Sequence, residues 1–305
     1  MNTQYFQIVL MTSPTLATVA TQFLQRPGLS KGTLKAYEST LMPFLAVYGS
    51  WPVELLERGE VVEYLQGLTH LAYTTRRKHQ ATVQALFNFA LEQGYVKANP
   101  IARLKQPRPD PQKDEYTSDD TIRYLSQSQL TTLYRAVELD TRMQAIISLL
   151  HRSGARISEV LQLDLDDIDF EEQRFQVLGK GNKQRWCFFS QDTATALTEY
   201  IRDGRYPRSA ALFTAQQPLS LETSRISYRR IHQCWEMLIA PYPDLKGARL
   251  HDLRHTFATE RVGLMGIEEL RALMGHESIQ TTLRYQKVTS RRAESVAKQA
   301  LEMLS

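Results

Sequence analysis

The 305-residue chain is long enough for two domains of ordinary size, and its composition, 42% hydrophobic and 23% charged, is typical of a soluble globular protein. No run approaches the roughly 20 apolar residues that span a bilayer, and the first ten residues lack the features of a secretory signal. We therefore expect a cytoplasmic protein with no membrane partner, whose net charge of +4 permits a polyanionic partner without requiring one.

The first third of the chain is predicted to be a small bundle of helices. Apolar residues recur at three- and four-residue steps between Leu34 and Tyr48 and again between Val83 and Leu91. Further apolar clusters around Leu16 and Val61 supply faces for these two helices to pack against. Up to Pro107 this third has ten Lys and Arg against six Glu, so it carries the excess positive charge.

Three cations, Arg76, Arg77 and Lys78, lie at the start of the second long helix. Basic residues at a helix start oppose the helix dipole, which favours anions there, and an external anion would relieve the conflict. On these residues alone, a solvated charged face is an equal alternative.

A proline-rich segment then predicts a boundary between domains. Pro100, Pro107, Pro109 and Pro111 are followed by a polar, acidic run, and this spacing disfavours both helix and sheet. We expect a first domain over residues 1–105, an extended tether over 106–125 and a second domain over 126–305.

The second domain is predicted to begin with helices and to continue with short strands. A capping pattern at Ser126 starts the first helix, and a later apolar helix runs to Gly154, just before Arg156 and Glu159. Three alternating apolar stretches follow, around Ile168–Phe170, Phe175–Val177 and Trp186–Phe189. The glycine-containing turn before the last stretch carries Lys180.

Two amphipathic segments lie beyond the strands. In the first, Arg225, Arg229 and Arg230 are expected along one side of a helix, with a solvated face as the alternative reading. The second is a tail helix over about residues 290–305, whose apolar stripe from Val296 to Leu304 would be exposed. An exposed apolar stripe requires a surface on which to dock.

The stretch from His251 to Tyr285 carries the chemistry. His251 and Arg254 are three residues apart in a helical segment, so both side chains can converge on one group. A guanidinium binds a phosphate through two parallel hydrogen bonds, and an imidazole transfers protons near neutral pH, so this group is expected to be an anion. His276 follows a glycine and precedes Tyr285 by nine residues.

This spacing resembles the tyrosine recombinase (phage integrase) family, whose signature is H-x-x-R, then His or Trp, then a nucleophilic Tyr. Four other sequence segments are also similar to those of the family: HTFAT at 255–259, LMGH at 273–276, SGARISEV at 153–160 and GKGNKQR at 179–185. The resemblance implies a mainly α, Xer-like fold, in which a SAM-like helical core-binding domain precedes a mixed α+β catalytic domain with a small antiparallel sheet.

By this resemblance seven residues form the catalytic set, namely Arg156, Glu159, Lys180, His251, Arg254, His276 and Tyr285. Tyr285 would attack a phosphodiester and form a 3′-phosphotyrosine, while the two arginines hold the phosphate oxygens. Lys180 would protonate the leaving 5′ oxygen, with His251 as a second proton-transfer group and His276 as a hydrogen-bond donor. Glu159 would support its neighbours.

The resemblance also implies the partners. Double-stranded DNA with paired core sites would be contacted by Arg76, Arg77, Lys78, Arg225, Arg229 and Arg230. A homotetramer, alone or with a related recombinase, would exchange strands through a four-way Holliday junction, giving integration, excision or resolution, with the tail helix packed on a neighbouring protomer. No cofactor, metal ion or small-molecule substrate is expected.

Two other classes fit less well. His251 and His255 could suggest a metal-dependent hydrolase, but the Glu of H-E-x-x-H is missing and Arg254 would lie against the metal ion. Cys187 and Cys234 form no C-x-x-C pair and are expected to be ordinary buried or half-buried thiols.

A type IB topoisomerase or a DNA-binding protein that does not cut is the remaining alternative, although a binding protein need not keep all seven catalytic positions.

Overall fold

The computed structural model of the chain describes residues 13–110, 122–179, 184–288 and 301–302. Contacts divide the protein into two compact units, Met1–Asp120 and Thr121–Ser305. Within the described ranges, no helix is long and apolar enough to cross a membrane.

The first unit is helical, as predicted. Its helices are α1 (Leu16–Gln25), α2 (Lys31–Tyr48), α3 (Arg58–Gly67) and α4 (Tyr73–Glu92). The hydroxyl of Thr15 accepts a hydrogen bond from the Thr18 N–H and caps α1. The two predicted apolar faces are confirmed as α2 and α4, and they enclose a core that includes Phe23, Phe44 and Phe87.

The segment after α4 is fixed to that helix by side-chain amides. Asn99 donates to the Gln84 carbonyl at 3.2 Å, and its own side-chain oxygen accepts from the Ile101 N–H at 2.9 Å. The Gln80 amide donates to the Leu104 carbonyl at 3.1 Å. The chain is therefore packed against α4 as far as residue 105.

The second unit contains helices and two small antiparallel sheets. Its helices are α5 (Gln127–Ala136), α6 (Thr141–Ser153), α7 (Ile157–Val160), α8 (Gln191–Glu199), α9 (Tyr228–Ile239), α10 (Leu250–Arg261), α11 (Ile267–Met274) and α12 (Ile279–Leu283). Its strands are β1 (Ile168–Asp169), β2 (Arg174–Leu178), β3 (Gln184–Phe188), β4 (Thr214–Gln216) and β5 (Thr223–Arg225). The three predicted strands are confirmed as the sheet β1-β2-β3.

Helix α6 lies at the centre of the second unit. Its apolar residues from Met143 to Leu150 are buried, and α8 and α10 pack against it. The Asp140 side chain caps its start by accepting from the Met143 N–H at 3.0 Å, and Gly154 ends it in the left-handed conformation at φ +65°. Arg156 follows α6, and His251 and Arg254 lie on α10. The packing of these two helices therefore brings the predicted site residues together.

The structure confirms some sequence-based expectations and corrects one. The capping box at Ser126 is confirmed, as are the buried and half-buried thiols of Cys187 and Cys234. The hairpin β4–β5 was not predicted, and Arg225 was wrongly placed on the cationic helix: it lies in β5, because Ser227 caps the helix that starts at Tyr228. Lys180, much of the predicted tether and almost all of the predicted tail helix lie outside the described residues.

Candidate active site

The turn between α6 and α7 positions Arg156. Gly154 has a positive φ, and a Cβ at this position would overlap the ring of Phe257, so only glycine fits. The backbone N–H of Arg156 then donates to the Glu159 carboxylate at 2.7 Å, and its guanidinium donates to the same carboxylate at 2.9 Å. The local turn thus aims a half-exposed guanidinium into the space beside α11.

Glu159 is held by a second arginine that the sequence analysis did not assign to the site. Arg185 on β3 forms two parallel hydrogen bonds with the Glu159 carboxylate, at 2.9 and 2.7 Å, and donates to the Leu273 carbonyl at 3.0 Å. Burial alone would raise the pKa of Glu159, but the hydrogen bonds from Arg185 and from the Arg156 backbone outweigh it and bring the pKa to about 2. The carboxylate is therefore ionised at neutral pH.

Helix α10 presents Arg254 from its buried side. The guanidinium of Arg254 donates to two carbonyl oxygens, those of Gly154 and Met274, and so links α10 to the end of α6 and to the end of α11. Burial, together with the charges of Arg156 and Arg185, lowers the pKa of Arg254 to about 10. It remains cationic at neutral pH.

His251 and His255 lie one helical turn apart on α10. Their rings meet edge to face with centroids 4.6 Å apart. His251 lies at the exposed edge of the site, where partial burial and the charge of Arg254 lower its pKa. His255 is more enclosed, and burial followed by the charge of His251 lowers its pKa to about 3.

The turn after α11 positions His276. Gly275 ends the helix in the left-handed conformation at φ +61°, and the Arg156 guanidinium reaches its carbonyl at 3.5 Å. The His276 Nδ1 is 2.9 Å from the hydroxyl of the buried Thr282. Burial and the charges of Arg254 and Arg156 lower the pKa of His276 to about 3, so the imidazole is neutral.

Tyr285 lies in the short 3-10 helix Arg284–Val288, and its side chain is 3% exposed. Its ring is parallel to that of His276, with 6.3 Å between centroids. Its hydroxyl oxygen is 2.8 Å from Nδ1 of His255. Burial raises the pKa of Tyr285, and the charges of Arg254 and Arg284 offset part of that rise.

The structure therefore gathers Arg156, Glu159, His251, Arg254, His276 and Tyr285 from four segments, which are the α6–α7 turn with α7, α10, the turn after α11 and the 3-10 helix that follows α12. In the described part of the site, Arg156 and Arg185 bind the Glu159 carboxylate, and the charge of Arg254 adds to theirs. A surplus of fixed positive charge in a partly buried site favours an anionic ligand. No group of three His, Cys, Asp or Glu side chains suited to a metal ion occurs among the described residues.

The residues expected to contact DNA occupy different environments. Lys78, Arg229 and Arg230 are exposed, and Arg77 donates to the Gln106 side chain at 2.8 Å while remaining partly accessible. Arg76 is half-buried and interacts with other groups of the protein.

Arg225 differs from these because both terminal nitrogens of its guanidinium bind groups within the unit. It donates to the carbonyls of Leu161 and Leu163 at 2.9 and 2.8 Å and also pairs with Asp164. These bonds fix the end of β5 to the loop after α7. Its position argues for a structural role in place of the expected DNA contact.

The chain matches the family model described as the phage integrase family over residues 123–292. It is 30% identical to the tyrosine recombinase XerD of Bifidobacterium longum over 277 residues, which cover 86% of this chain and 88% of that protein. It is also 30% identical to the tyrosine recombinase XerC of Mycobacterium tuberculosis over 283 residues, or 90% of this chain and 93% of that one.

Solved structures share the fold. The Tn1549 transposon integrase, in complex with a circular intermediate DNA, has a TM-score of 0.71 at 20% identity, with 90% of this chain and 95% of that chain covered. A lambda integrase dimer bound to a COC′ core site has a TM-score of 0.70 at 15% identity, with 91% and 97% covered. Both are two-domain tyrosine recombinases, and this chain shares their fold.

The fold and the site thus define a DNA strand-cleaving and rejoining enzyme. The chain belongs to the phage integrase family and is an Xer-like tyrosine recombinase of the kind that acts in site-specific recombination.

Proposed function

We propose that Tyr285 attacks a DNA phosphodiester and forms a 3′-phosphotyrosine, which is later resolved by a 5′ hydroxyl from another strand. The observation that carries this proposal is that Tyr285 lies beside the parallel ring of His276 and close enough to Arg254 and Arg156 for their charges to offset part of the rise that burial causes in the pKa of its hydroxyl. The covalent link conserves the energy of the broken bond, so rejoining needs no nucleotide.

The two arginines stabilise the charge that builds on the non-bridging oxygens during transfer. Arg254 is already fixed by carbonyl hydrogen bonds, and Arg156 is fixed by Glu159, so little reorganisation is needed when the phosphate arrives. His276 donates a further hydrogen bond to the phosphate. Lys180 protonates the leaving 5′ oxygen, and His251, at the exposed edge of the site, assists proton transfer.

Each unit contributes to DNA binding in this proposal. Residues 1–105 form a core-binding domain whose exposed cations include Lys78, residues 106–125 form the tether, and residues 126–305 form the catalytic domain. On the second unit, Arg229 and Arg230 project from the first turn of α9 and contact phosphates or bases. Arg225 is left out of this surface because its Nη1 and Nη2 already bind Leu161, Leu163 and Asp164.

The enzyme acts as a tetramer on paired core sites and passes through a Holliday junction, alone or with a related recombinase. The solved relatives support this proposal, since lambda integrase is found as a dimer on a core site and XerH is found on a palindromic difH substrate after cleavage. The tail over about 290–305 is proposed to join neighbouring protomers.

Sequencing the DNA that becomes covalently trapped on the enzyme in its host would identify the target. Pairs of that target would then be incubated with the parent enzyme and with Tyr285→Phe. We expect four-way junctions and recombinants with the parent enzyme, and binding without cleavage with the variant. Relaxation of supercoiled DNA with no junctions would favour a topoisomerase, and binding with no cleavage by either protein would favour a DNA-binding protein that does not cut.

A further inference from the structure

His255 is the side chain in contact with the reactive atom of Tyr285. It follows Arg254 on α10, and its Nδ1 lies 2.8 Å from the phenolic oxygen, with 5.7 Å between the ring centroids. The motif comparison gave it no catalytic role. A group at this distance from a nucleophile can take part in its chemistry directly.

The direction of this hydrogen bond follows from burial. The Tyr285 hydroxyl is buried, and within the described ranges His255 is its hydrogen-bond partner. If Nδ1 carried the hydrogen, the phenolic proton would be left without an acceptor, which is costly in a buried site. The phenol therefore donates to Nδ1, and the imidazole carries its own hydrogen on Nε2.

Two other bases near the site, Glu159 and His276, are occupied. The Glu159 carboxylate is bonded to Arg156 and Arg185, and Nδ1 of His276 is bonded to Thr282. Since the pKa of His255 is lowered to about 3, its imidazole is neutral at physiological pH and keeps the lone pair that an acceptor needs.

We propose that Nδ1 of His255 receives the phenolic proton of Tyr285 during cleavage and returns it during rejoining, a role that rests on Tyr285 being the nucleophile proposed above. In cleavage the Tyr285 O–H bond breaks as the N–H bond forms on His255. The tyrosine oxygen bonds to phosphorus, the P–O5′ bond breaks, and the 5′ oxygen takes a proton from Lys180. Rejoining reverses every transfer, so protons and electron pairs balance over the cycle.

DNA binding itself assists this transfer. Burial is the largest cause of the low pKa of His255, and the cations of Arg249, Arg254 and Arg284 add to it in the free protein. A phosphate in the site offsets these charges, so the imidazolium forms more readily in the complex than in the free enzyme. The imidazole is therefore a stronger base with the phosphate present than without it.

The test compares His255→Ala with His255→Asn. The Asn amide oxygen can accept a hydrogen bond near the Nδ1 position but cannot take a proton at neutral pH. Both variants are expected to form the covalent adduct on a nicked suicide duplex about a hundredfold more slowly than the parent, with unchanged duplex affinity. His70→Asn, an exposed histidine in the first unit, is the matched control and should keep the parent rate.

A fluorinated tyrosine at position 285 supplies the second measurement. Fluorine lowers the phenol pKa, so the attacking oxygen depends less on a base. The rate of His255→Asn should rise when Tyr285 is fluorinated, whereas the rate of Arg254→Ala should not. Each comparison is made within one variant, so partial loss of folding cannot imitate the rescue.

A parent-like rate for His255→Asn would overturn the proton-transfer role, and so would failure of fluorotyrosine to raise the rate of that variant. Tyr285→Phe is measured alongside. An adduct that persists in Tyr285→Phe would mean that the proposed nucleophile is wrong, whereas its absence together with a parent-like His255→Asn rate would contradict only the role of His255.

Discussion

Replacing Glu159 by Gln should destabilise the second unit and should do so in a pH-dependent way. The carboxylate is 8% exposed and accepts hydrogen bonds from Arg185, which is 10% exposed, and from Arg156. Glutamine keeps the shape but removes the charge that both guanidinium groups face. A buried arginine left without its carboxylate is among the costly single changes in a protein.

The magnitude follows from the pKa. A carboxyl whose pKa falls from its usual 4.5 to about 2 on folding contributes about 3 kcal/mol to the free energy of unfolding, at about 1.4 kcal/mol per pKa unit. Because the folded-state pKa of Glu159 is depressed, this stabilisation is fully present above pH 4.5 and is lost as the pH falls toward 2. The difference in free energy of unfolding between the parent and Glu159→Gln should therefore become smaller by about 1 kcal/mol between pH 7 and pH 4.

Urea unfolding followed by tryptophan fluorescence measures this gap. The background variant Trp51→Phe leaves Trp186 and Trp235, both in the second unit, so the signal reports on that unit alone. Glu171→Gln, at an exposed carboxylate, is the matched control and should change the free energy of unfolding by less than about 0.5 kcal/mol. Two results would refute this account of Glu159. One is a free energy of unfolding of Glu159→Gln within about 1 kcal/mol of the parent at pH 7, and the other is a difference between the two proteins that does not change with pH.

Three further outcomes are expected. Gly154→Ala should lower the free energy of unfolding in urea by about 2 kcal/mol or more, because it combines a positive φ with overlap on Phe257. Gly94→Ala, whose added Cβ meets open space, should lower it by about 1 kcal/mol. Equal losses would contradict the close packing of Gly154 on Phe257. Arg254→Ala should slow cleavage by about a hundredfold. A DNA substrate with a sulfur at the 5′-bridging position should restore the cleavage rate of Lys180→Ala but not that of Arg254→Ala. Equal rescue of both variants would argue against Lys180 as the acid. Cleavage should persist in EDTA, whereas loss that a divalent metal ion restores would favour a hydrolase.

The helices of the first unit and the sheet β1-β2-β3 could be predicted from sequence because their apolar periodicity is strong. Leu34–Tyr48 and Val83–Leu91 follow the helical period, and the strand stretches alternate over short runs. The hairpin β4–β5 was missed because its three-residue strands, such as Thr214–Gln216, carry no alternating apolar pattern. Arg225 was misplaced for the same reason, since nothing local marks it as a strand residue that binds carbonyls.

The motif spacing identified the residues of the candidate site but could not reveal their contacts. Arg185 and Glu159 are 26 residues apart, and His255 and Tyr285 are 30 apart, so no local pattern joins them. A histidine directly after Arg254 gives only a weak signal, because sequence alone does not show which way it points. These contacts depend on the packing of α7, β3, α10 and the 3-10 helix that follows α12.

Mapping the covalent adduct tests the central claim most directly. The enzyme would be trapped on a nicked target duplex, trimmed with nuclease, digested with protease and analysed by mass spectrometry. We expect a nucleotide joined through its 3′-phosphate to Tyr285, and no modified peptide from Tyr285→Phe. A nucleotide on any other residue, or attachment through a 5′-phosphate, would contradict the mechanism proposed for this site.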